Sequence, residues 1–264
     1  MSELDTLFAE CREQERAALV GYLPAGYPTV EDSVRLLNAV VDSGADLVEV
    51  GLPYSDPVLD GPTIQAAAET ALRGGTRIRD VLNVVERVSE AGGRAVIMTY
   101  YNPVLRYGVS AFSRDLAAAG GLGLITPDLV PEEAQEWLDA SATHGLDRIF
   151  LVAPSSTEER IASTASASSG FLYAASVMGV TGARDAVGPA AGELVTRIRP
   201  HTSMPVGVGL GVRSGEQAAT VAAFADAVIV GSALVSAAGR GEAELRALTE
   251  ELAGGVRRPA PQPA

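Results

Sequence analysis

Short apolar runs alternate with longer amphipathic stretches along most of the chain, and this alternation limits the possible fold more than any other feature. The runs have the length and residue types of buried strands, and the stretches between them repeat apolar residues at helical spacing. We count eight runs, over residues 18–23, 47–51, 95–100, 122–125, 149–152, 171–174, 206–208 and 227–230. Helical patterns cover residues 30–43, 81–91, 111–119, 132–144, 158–167, 190–199 and 215–224. Such alternation predicts parallel strands joined by crossover helices.

Eight strand-and-helix units in 264 residues match the unit count and size of a closed barrel. We therefore predict an α/β fold, a single-domain (β/α)8 TIM barrel over residues 1–252 with an extra N-terminal helix over residues 3–16. An open, doubly wound sheet is the alternative arrangement. The glycine- and proline-rich residues 253–264 are predicted to form a disordered tail. In a barrel, catalytic groups lie at the C-terminal ends of the strands, so the candidates are sought there.

The second predicted strand, Leu-Val-Glu-Val-Gly, carries an acidic residue within an apolar run. Period-2 alternation places Glu49 on the face opposite Val48 and Val50. Burying an unpaired carboxylate is costly unless the group becomes protonated. A carboxyl group with a shifted pKa suits proton transfer, so Glu49 is the first candidate general acid/base. The alternative is a core glutamate held in a salt bridge.

A second carboxyl group, Asp60, lies in the loop after this strand, just before a predicted helix start at Gly61-Pro62. Different surroundings can give two such carboxyl groups different roles, one transferring protons while the other stays ionised. Asp60 can equally be a turn former or a helix N-cap. Asp56, which precedes Pro57 in the same loop, is interpreted as serving the loop's shape or a partner.

Three glycine-rich segments follow the last strands, over residues 179–184, 207–212 and 231–233. In (β/α)8 enzymes the loops after strands seven and eight commonly hold phosphate on backbone N–H groups. Gly211 and the pair Gly231-Ser232 occupy those two loops, although glycine also ends strands and forms turns. The segment over residues 179–188 is interpreted as a mobile lid.

Tyrosines fall at or near the ends of three predicted strands, at Tyr22, Tyr100 and Tyr173. Because only 5% of the residues are aromatic, this grouping suits a flat apolar ligand. Ordinary packing at the top of the barrel is the alternative. The two histidines, His144 and His201, each follow or end a helical pattern and are interpreted as capping or surface residues.

The charge and cysteine content exclude several classes of function. A net charge of -13 disfavours non-specific binding to nucleic acid or to anionic membranes. One cysteine and two histidines leave no usual zinc site and no internal disulfide, so metal catalysis is not expected. The chain has no long apolar run and an acidic start, from which we expect a cytoplasmic protein.

The segment from Glu49 to Gln65, with Gly-Leu-Pro-Tyr-Ser-Asp-Pro and Asp-Gly-Pro-Thr-Ile-Gln, resembles the signature of the tryptophan synthase alpha subunit family. Further motifs occur in that family's order, including Leu-Pro-Ala-Gly-Tyr-Pro, Met-Thr-Tyr-Tyr-Asn-Pro, Met-Gly-Val-Thr-Gly, Gly-Leu-Gly and Gly-Ser-Ala. The resemblance covers about residues 7 to 238. It implies cleavage of indole-3-glycerol phosphate to indole and glyceraldehyde 3-phosphate, in L-tryptophan biosynthesis, with no metal or organic cofactor in this subunit.

The resemblance also implies roles for particular residues. Glu49 would be the acid/base, and Asp60 would accept the indole N–H. The matching substrate contacts are Gly182, Gly211, Gly231 and Ser232 for phosphate, Tyr22, Tyr100, Tyr173 and Leu210 for indole, and Thr181 on a closing loop. Two residues depart from the family's usual pattern: Leu210 stands where many relatives have Phe, and Tyr27 replaces a common acidic residue.

Members of the family dock on a beta subunit that holds pyridoxal phosphate, so the resemblance implies an alpha2beta2 heterotetramer. The loops around Pro53 to Asp56 and Asn102 to Tyr107 match the docking side. Three alternatives remain at this point. They are a sugar-phosphate isomerase or epimerase on the same barrel, a subunit acting mainly as an allosteric partner, and a free-standing lyase that releases indole.

Overall fold

Eight parallel strands form a closed barrel in the computed structural model, which describes residues 1–175, 190–209 and 211–257. The strands are β1 (Ala18–Pro24), β2 (Leu47–Gly51), β3 (Ala95–Met98), β4 (Gly123–Thr126), β5 (Asp147–Val152), β6 (Leu172–Ala175), β7 (Val206–Gly209) and β8 (Ala227–Val230). Each strand pairs with the next in sequence, and β8 pairs with β1 to close the ring. The barrel prediction is confirmed, and the open doubly wound sheet is excluded.

Helices surround the barrel and connect its strands. Those within the described residues are α1 (Glu3–Glu13), α2 (Val30–Asp42), α3 (Pro62–Arg73), α4 (Ile78–Glu90), α5 (Tyr101–Tyr107), α6 (Val109–Ala118), α7 (Gln135–His144), α8 (Glu158–Ala167), α9 (Ala190–Ile198), α10 (Gly215–Ala222), α11 (Ser232–Arg240) and α12 (Glu242–Val256). Two 3-10 turns cover Pro131–Glu133 and Arg199–His201. None of the helices in this part of the chain is long and apolar enough to cross a membrane.

The helix α4 shows how sequence pattern becomes packing on the outside of the barrel. Val81, Val85 and Val88 recur at helical spacing and are all 0% exposed, so one face of the helix is buried against the sheet. At its start, the Asp80 carboxylate accepts the backbone N–H of Arg77 at 2.8 Å and satisfies a free donor of the first turn. Burial of the apolar face is the main source of this helix's stability.

Two apolar cores lie on opposite sides of the sheet. The outer core fills the space between the strands and the surrounding helices and includes Val48 and Val50. The inner core fills the barrel, and four α1 residues, Leu4, Leu7, Phe8 and Cys11, belong to it. The ring of Phe8 lies 5.7 Å from that of Phe171. The helix α1 therefore closes the N-terminal end of the barrel, which leaves the C-terminal end as the place for a ligand.

The first helix is shorter than the sequence predicts, because it ends at Glu13 rather than continuing to residue 16. Glu15 has a left-handed backbone with φ of 50°, which turns the chain out of the helix. The Arg16 guanidinium then binds both oxygens of the Asp46 carboxylate, each at 2.8 Å. This bidentate ion pair fixes the connection between α1 and β1 against the barrel.

The predicted helix over residues 132–144 is in fact two elements. A 3-10 turn covers Pro131–Glu133, Ala134 interrupts the pattern with a non-helical backbone, and α7 begins at Gln135. The sequence pattern could not show this break, because Ala134 is fully buried and therefore fits the apolar face of a longer helix.

The predicted start of the disordered tail at residue 253 is wrong. Helix α12 continues to Val256, with Ala253 and Val256 at 5% and 0% exposure. Gly255 lies directly against the backbone of Gly215 on α10, where an added Cβ would come 2.2 Å from the Gly215 carbonyl oxygen. Gly255, one of the two glycines that suggested the start of a disordered tail, thus allows close packing of two helices. The remaining tail positions, 258–264, lie outside the described residues.

This contact predicts opposite effects of alanine at two adjacent glycines. Gly255→Ala forces its methyl group into the Gly215 backbone and should lower the free energy of unfolding by about 1–3 kcal/mol. Gly254→Ala meets open space and should raise it by about 0.5–1 kcal/mol, because alanine favours the helix. Urea unfolding followed by circular dichroism measures both values. Equal effects of the two substitutions would contradict the packing of α12 on α10.

Candidate active site

The Glu49 side chain lies inside the barrel and is only 1% exposed. On β2 it is in register with Tyr22 of β1 and Val96 of β3. Its neighbours Val48 and Val50 belong to the outer core, so the alternation expected from the sequence is confirmed. Within the described residues, the Glu49 Oε1 atom has no hydrogen-bond partner.

Burial alone raises the pKa of Glu49, from an ordinary value of 4.5 to about 8. No ion pair of Glu49 occurs among the described residues, and no neighbouring cation contributes to the shift. A salt-bridged core glutamate would show the opposite shift, because a cation favours the ionised form. At neutral pH, Glu49 is therefore a mainly protonated acid that titrates close to physiological pH.

Two tyrosines flank Glu49 and join it to the rest of the site. Burial raises the pKa of Tyr22 well above its usual value, and the negative charges of Asp60 and Glu49 add to this shift. Burial also raises the pKa of Tyr173, again with a contribution from Glu49 and a further one from Tyr22. The predicted residues from β1, β2 and β6 thus lie together in one cluster at the upper part of the barrel.

Two glycines on the strands beside these tyrosines make room for their hydroxyl groups. A Cβ at Gly51 would lie 2.3 Å from the Tyr22 hydroxyl, and one at Gly209 would lie 2.4 Å from the Tyr173 hydroxyl. Any larger residue would displace the ring beside it. We identified Gly51 and Gly209 in the sequence only as strand ends or as parts of motifs. The sequence carried no direct signal for this role, because it depends on the register between neighbouring strands.

The second carboxyl group, Asp60, lies in the loop between β2 and α3. The N-cap of α3 is Gly61, and no side chain caps the helix, so the N-cap interpretation of Asp60 does not hold. The Tyr100 hydroxyl donates to Asp60 Oδ1 at 3.3 Å. Burial raises the pKa of Asp60, while this hydrogen bond acts in the opposite direction. Asp60 is half-buried, so it is better solvated than Glu49.

The third tyrosine, Tyr100, follows β3 and is 6% exposed. Its hydroxyl oxygen accepts the backbone N–H groups of Val58 and Leu59 at 3.1 and 2.9 Å. Its ring lies 5.3 Å from that of Tyr54, a residue we did not identify as a candidate from the sequence. Tyr54 belongs to the same loop as Asp60, and that proximity in sequence was the signal for it.

The predicted phosphate residues after β7 and β8 lie at the same end of the barrel. Gly231 is the N-cap of α11, which begins at the half-buried Ser232. A Cβ at Gly231 would be 3.5 Å from the Tyr22 ring, so this helix terminus adjoins the tyrosine cluster. Gly211 has a left-handed backbone with φ of 65°, which favours glycine. A helix N-terminus beside the cluster is a suitable site for an anion.

Other predicted residues lie outside this cluster or cannot be placed. Thr181, Gly182, Leu210 and the lid segment over residues 179–188 lie outside the described residues. In the partner-facing loop, Asp56 is exposed, whereas Pro53 is buried and so does not itself form part of the surface. His144 is the last residue of α7 and His201 ends a 3-10 turn, so both lie at the end of the barrel opposite the site.

Comparisons with known proteins identify the family to which the chain is similar. The family model for the tryptophan synthase alpha chain matches residues 8–257. The tryptophan synthase alpha chain of Mycobacterium marinum is 68% identical over 256 residues, which cover 97% of this chain and 95% of the relative. The corresponding chain of Nocardia farcinica is 67% identical over 256 residues, covering 97% and 96%.

Solved structures share the fold of this chain over nearly its whole length. A chain of Mycobacterium tuberculosis tryptophan synthase is 66% identical, with a TM-score of 0.95 over 97% of this chain and 99% of that one. Tryptophan synthase subunit alpha from Legionella pneumophila has a TM-score of 0.88 at 32% identity, over 97% and 98% of the two chains. The chain therefore belongs to the tryptophan synthase alpha chain family.

Proposed function

We propose that the upper end of the barrel cleaves indole-3-glycerol phosphate to indole and glyceraldehyde 3-phosphate, with Glu49 as the acid/base. The family is that of a carbon–carbon lyase of tryptophan biosynthesis, which supports the reaction class. The observation that carries the assignment is the buried Glu49 carboxyl group, whose pKa is raised to about 8 among tyrosines that suit a flat apolar ligand.

The raised pKa suits the order of proton transfers that this cleavage needs. Protonated Glu49 gives its proton to indole C3, which makes an indolenine with a positive charge at the ring nitrogen. The resulting Glu49 carboxylate then takes a proton from the substrate, from the hydroxyl group on the glycerol carbon attached to the indole ring. A carbonyl forms there, the carbon–carbon bond breaks, and its electrons return to the indole ring. Glu49 ends the cycle protonated, so no net proton is lost.

Asp60 supports the same step from the other side of the ligand. As a carboxylate it accepts the indole N–H, and its negative charge stabilises the positive charge that develops on the ring. The difference in burial between the two carboxyl groups supports this division of roles, since the more solvated one ionises more readily. A sugar-phosphate isomerase would have no comparable use for Asp60 or the tyrosine cluster.

The remaining contacts rest on the described residues around the cluster and, beyond them, on the family's pattern alone. Tyr22, Tyr100 and Tyr173 surround the indole. The helix terminus at Gly231 and Ser232 holds the phosphate, together with the backbone of Gly211. The family's pattern assigns Leu210 to the indole contacts, Gly182 to the phosphate contacts and Thr181 to a loop that closes over the substrate. None of these contacts needs a metal or an organic cofactor in this subunit.

The partner in this proposal is a tryptophan synthase beta subunit that holds pyridoxal phosphate, in an alpha2beta2 heterotetramer. Three apolar side chains in the connections that follow β2, β3 and β4 support a docking surface at the upper end, with Leu105 on the short helix α5. Val58, Leu105 and Val130 are 66%, 51% and 38% exposed. Burying such residues against a partner is favourable. The cytoplasmic location expected from the sequence stays a prediction.

Glu49→Gln tests the assignment directly. The amide has nearly the same shape but cannot exchange the proton, so the lyase rate should fall about 10²- to 10⁴-fold while substrate still binds. The measurement is steady-state cleavage of indole-3-glycerol phosphate, with and without a beta subunit. Glu86→Gln, on the exposed face of α4, is the matched control and should retain the wild-type rate.

Retention of more than half the wild-type rate by Glu49→Gln would disprove its role as the acid/base. The beta subunit provides a second comparison within the same assay. We expect it to raise the wild-type rate, whereas a rate indifferent to the partner would favour a free-standing lyase that releases indole.

The pKa of Glu49 also predicts how this substitution changes stability with pH. In the unfolded chain the carboxyl ionises near pH 4.5, but in the folded chain it keeps its proton until about pH 8. A raised pKa in the folded state means that Glu49 costs stability as pH rises between these values. Glu49→Gln should therefore gain stability relative to wild type by about 1.4 kcal/mol per pH unit from pH 5 to pH 8. Denaturant unfolding at several pH values measures the gain, and a flat difference would show that Glu49 ionises normally.

Ser232→Asp tests the phosphate site. A carboxylate in the first turn of α11 is compatible with the helix dipole, so the fold should persist. It should nevertheless repel the substrate phosphate and raise KM about tenfold or more. Ser236→Asp, one turn further along the same helix, is the control and should change KM little. An unchanged KM in Ser232→Asp would place the phosphate elsewhere.

A further inference from the structure

We propose that Tyr100 is a positioning residue, whose hydroxyl holds the loop between β2 and α3 in place and so fixes the Asp60 carboxylate for the reaction. This inference rests on the proposed function for the role of Asp60. It adds to the indole contact expected of the Tyr100 ring, because the proposed role belongs to the hydroxyl group alone.

Within the described residues, the hydrogen bonds of the Tyr100 hydroxyl all go to this one loop. Its oxygen accepts the N–H groups of Val58 and Leu59 at 3.1 and 2.9 Å, and its proton is donated to Asp60 Oδ1 at 3.3 Å. Three consecutive residues, ending in the proposed catalytic carboxylate, thus depend on one oxygen atom.

The loop has little packing of its own to hold this conformation. Ser55 and Asp56 are exposed, and Val58 leaves 66% of its surface exposed. Segments with few buried apolar contacts open easily unless hydrogen bonds restrain them. The bonds to Tyr100 supply that restraint at the end of the loop nearest to Asp60.

The Tyr100 ring, in contrast, is firmly placed. It is 6% exposed, and the Tyr54 ring lies 5.3 Å away. The next residue, Tyr101, donates its backbone N–H to the Asp128 carboxylate at 2.9 and 3.2 Å, which secures the start of α5. The hydroxyl therefore projects from a rigid part of the barrel towards a loop that is less restrained.

Electrostatics favour the direction of the bond to Asp60. Burial raises the pKa of Tyr100, so the phenol keeps the proton that it donates. This bond lowers the pKa of Asp60 against the effect of burial and favours the ionised form. Among the described residues, a further titratable neighbour is Tyr22, whose pKa is raised by burial and then by Asp60, Glu49 and Tyr100.

Tyr100→Phe removes the hydroxyl and keeps the ring. We expect kcat/KM to fall about tenfold, and the acid limb of its pH profile to move to higher pH, because Asp60 loses a bond that favours its ionised form. Tyr101→Phe removes a hydroxyl from the adjacent buried tyrosine and should leave both quantities unchanged. A wild-type pH profile in Tyr100→Phe would overturn the inference.

A double-mutant cycle separates this role from contact with the substrate. If the hydroxyl acts through Asp60, Tyr100→Phe should cost much less in an Asp60→Asn background than in wild type. An equal loss in both backgrounds would show that Tyr100 acts independently of Asp60 and would overturn the inference.

Hydrogen exchange tests the restraint without any assay of activity. The amides of Val58 and Leu59 should exchange at least tenfold faster in Tyr100→Phe than in Tyr101→Phe or wild type. Unchanged exchange would overturn the inference even if the lyase assignment holds. The two proposals can also fail separately in the other direction. Normal lyase activity in Glu49→Gln would refute the proposed function. Faster exchange of these amides in Tyr100→Phe would still support the restraint of the loop by the Tyr100 hydroxyl.

Discussion

Burial of one carboxyl group inside an apolar barrel is the constraint on which the rest of the site depends. Glu49 is surrounded by the inner core, which α1 closes from below. Its ionised form is disfavoured there, because no cation among the described residues compensates the charge. The barrel has to enclose Glu49 tightly enough to raise its pKa and yet leave it accessible from the upper end.

The tyrosines and glycines around Glu49 meet both requirements. Tyr22 and Tyr173 lie close enough to Glu49 for its charge to raise their pKa values, and Gly51 and Gly209 leave space for their hydroxyl groups. Asp60 instead lies on a loop, where it is partly solvated and bound to Tyr100. Two chemically similar groups therefore differ in how readily they ionise because of their positions, one on a strand and one on a loop.

Much of this arrangement could be predicted from the sequence, because it depends on local periodicity. The alternation of elements gave the barrel, and period-2 alternation in β2 gave the inward direction of Glu49. Features that depend on contacts distant in sequence could not be predicted. One example is the packing of Gly255 on Gly215, and another is the pair of hydrogen bonds that the Tyr100 hydroxyl accepts from Val58 and Leu59. Both join residues about 40 positions apart, and the periodicity of a short segment carries no information about such contacts. The break at Ala134 was missed for a different reason, since a buried alanine suits a helix and a turn equally well.

The helix α1 has a consequence for the route by which molecules enter and leave. Because Leu4, Leu7 and Phe8 fill the lower end of the barrel, a product formed beside Glu49 has to leave through the upper end. The exposed apolar residues Val58, Leu105 and Val130 lie at that same end, on the loops after β2 and β4 and on the short helix α5. A protein docked on these loops would therefore cover the exit, and it would decide whether indole reaches the solvent or passes directly to a second active site.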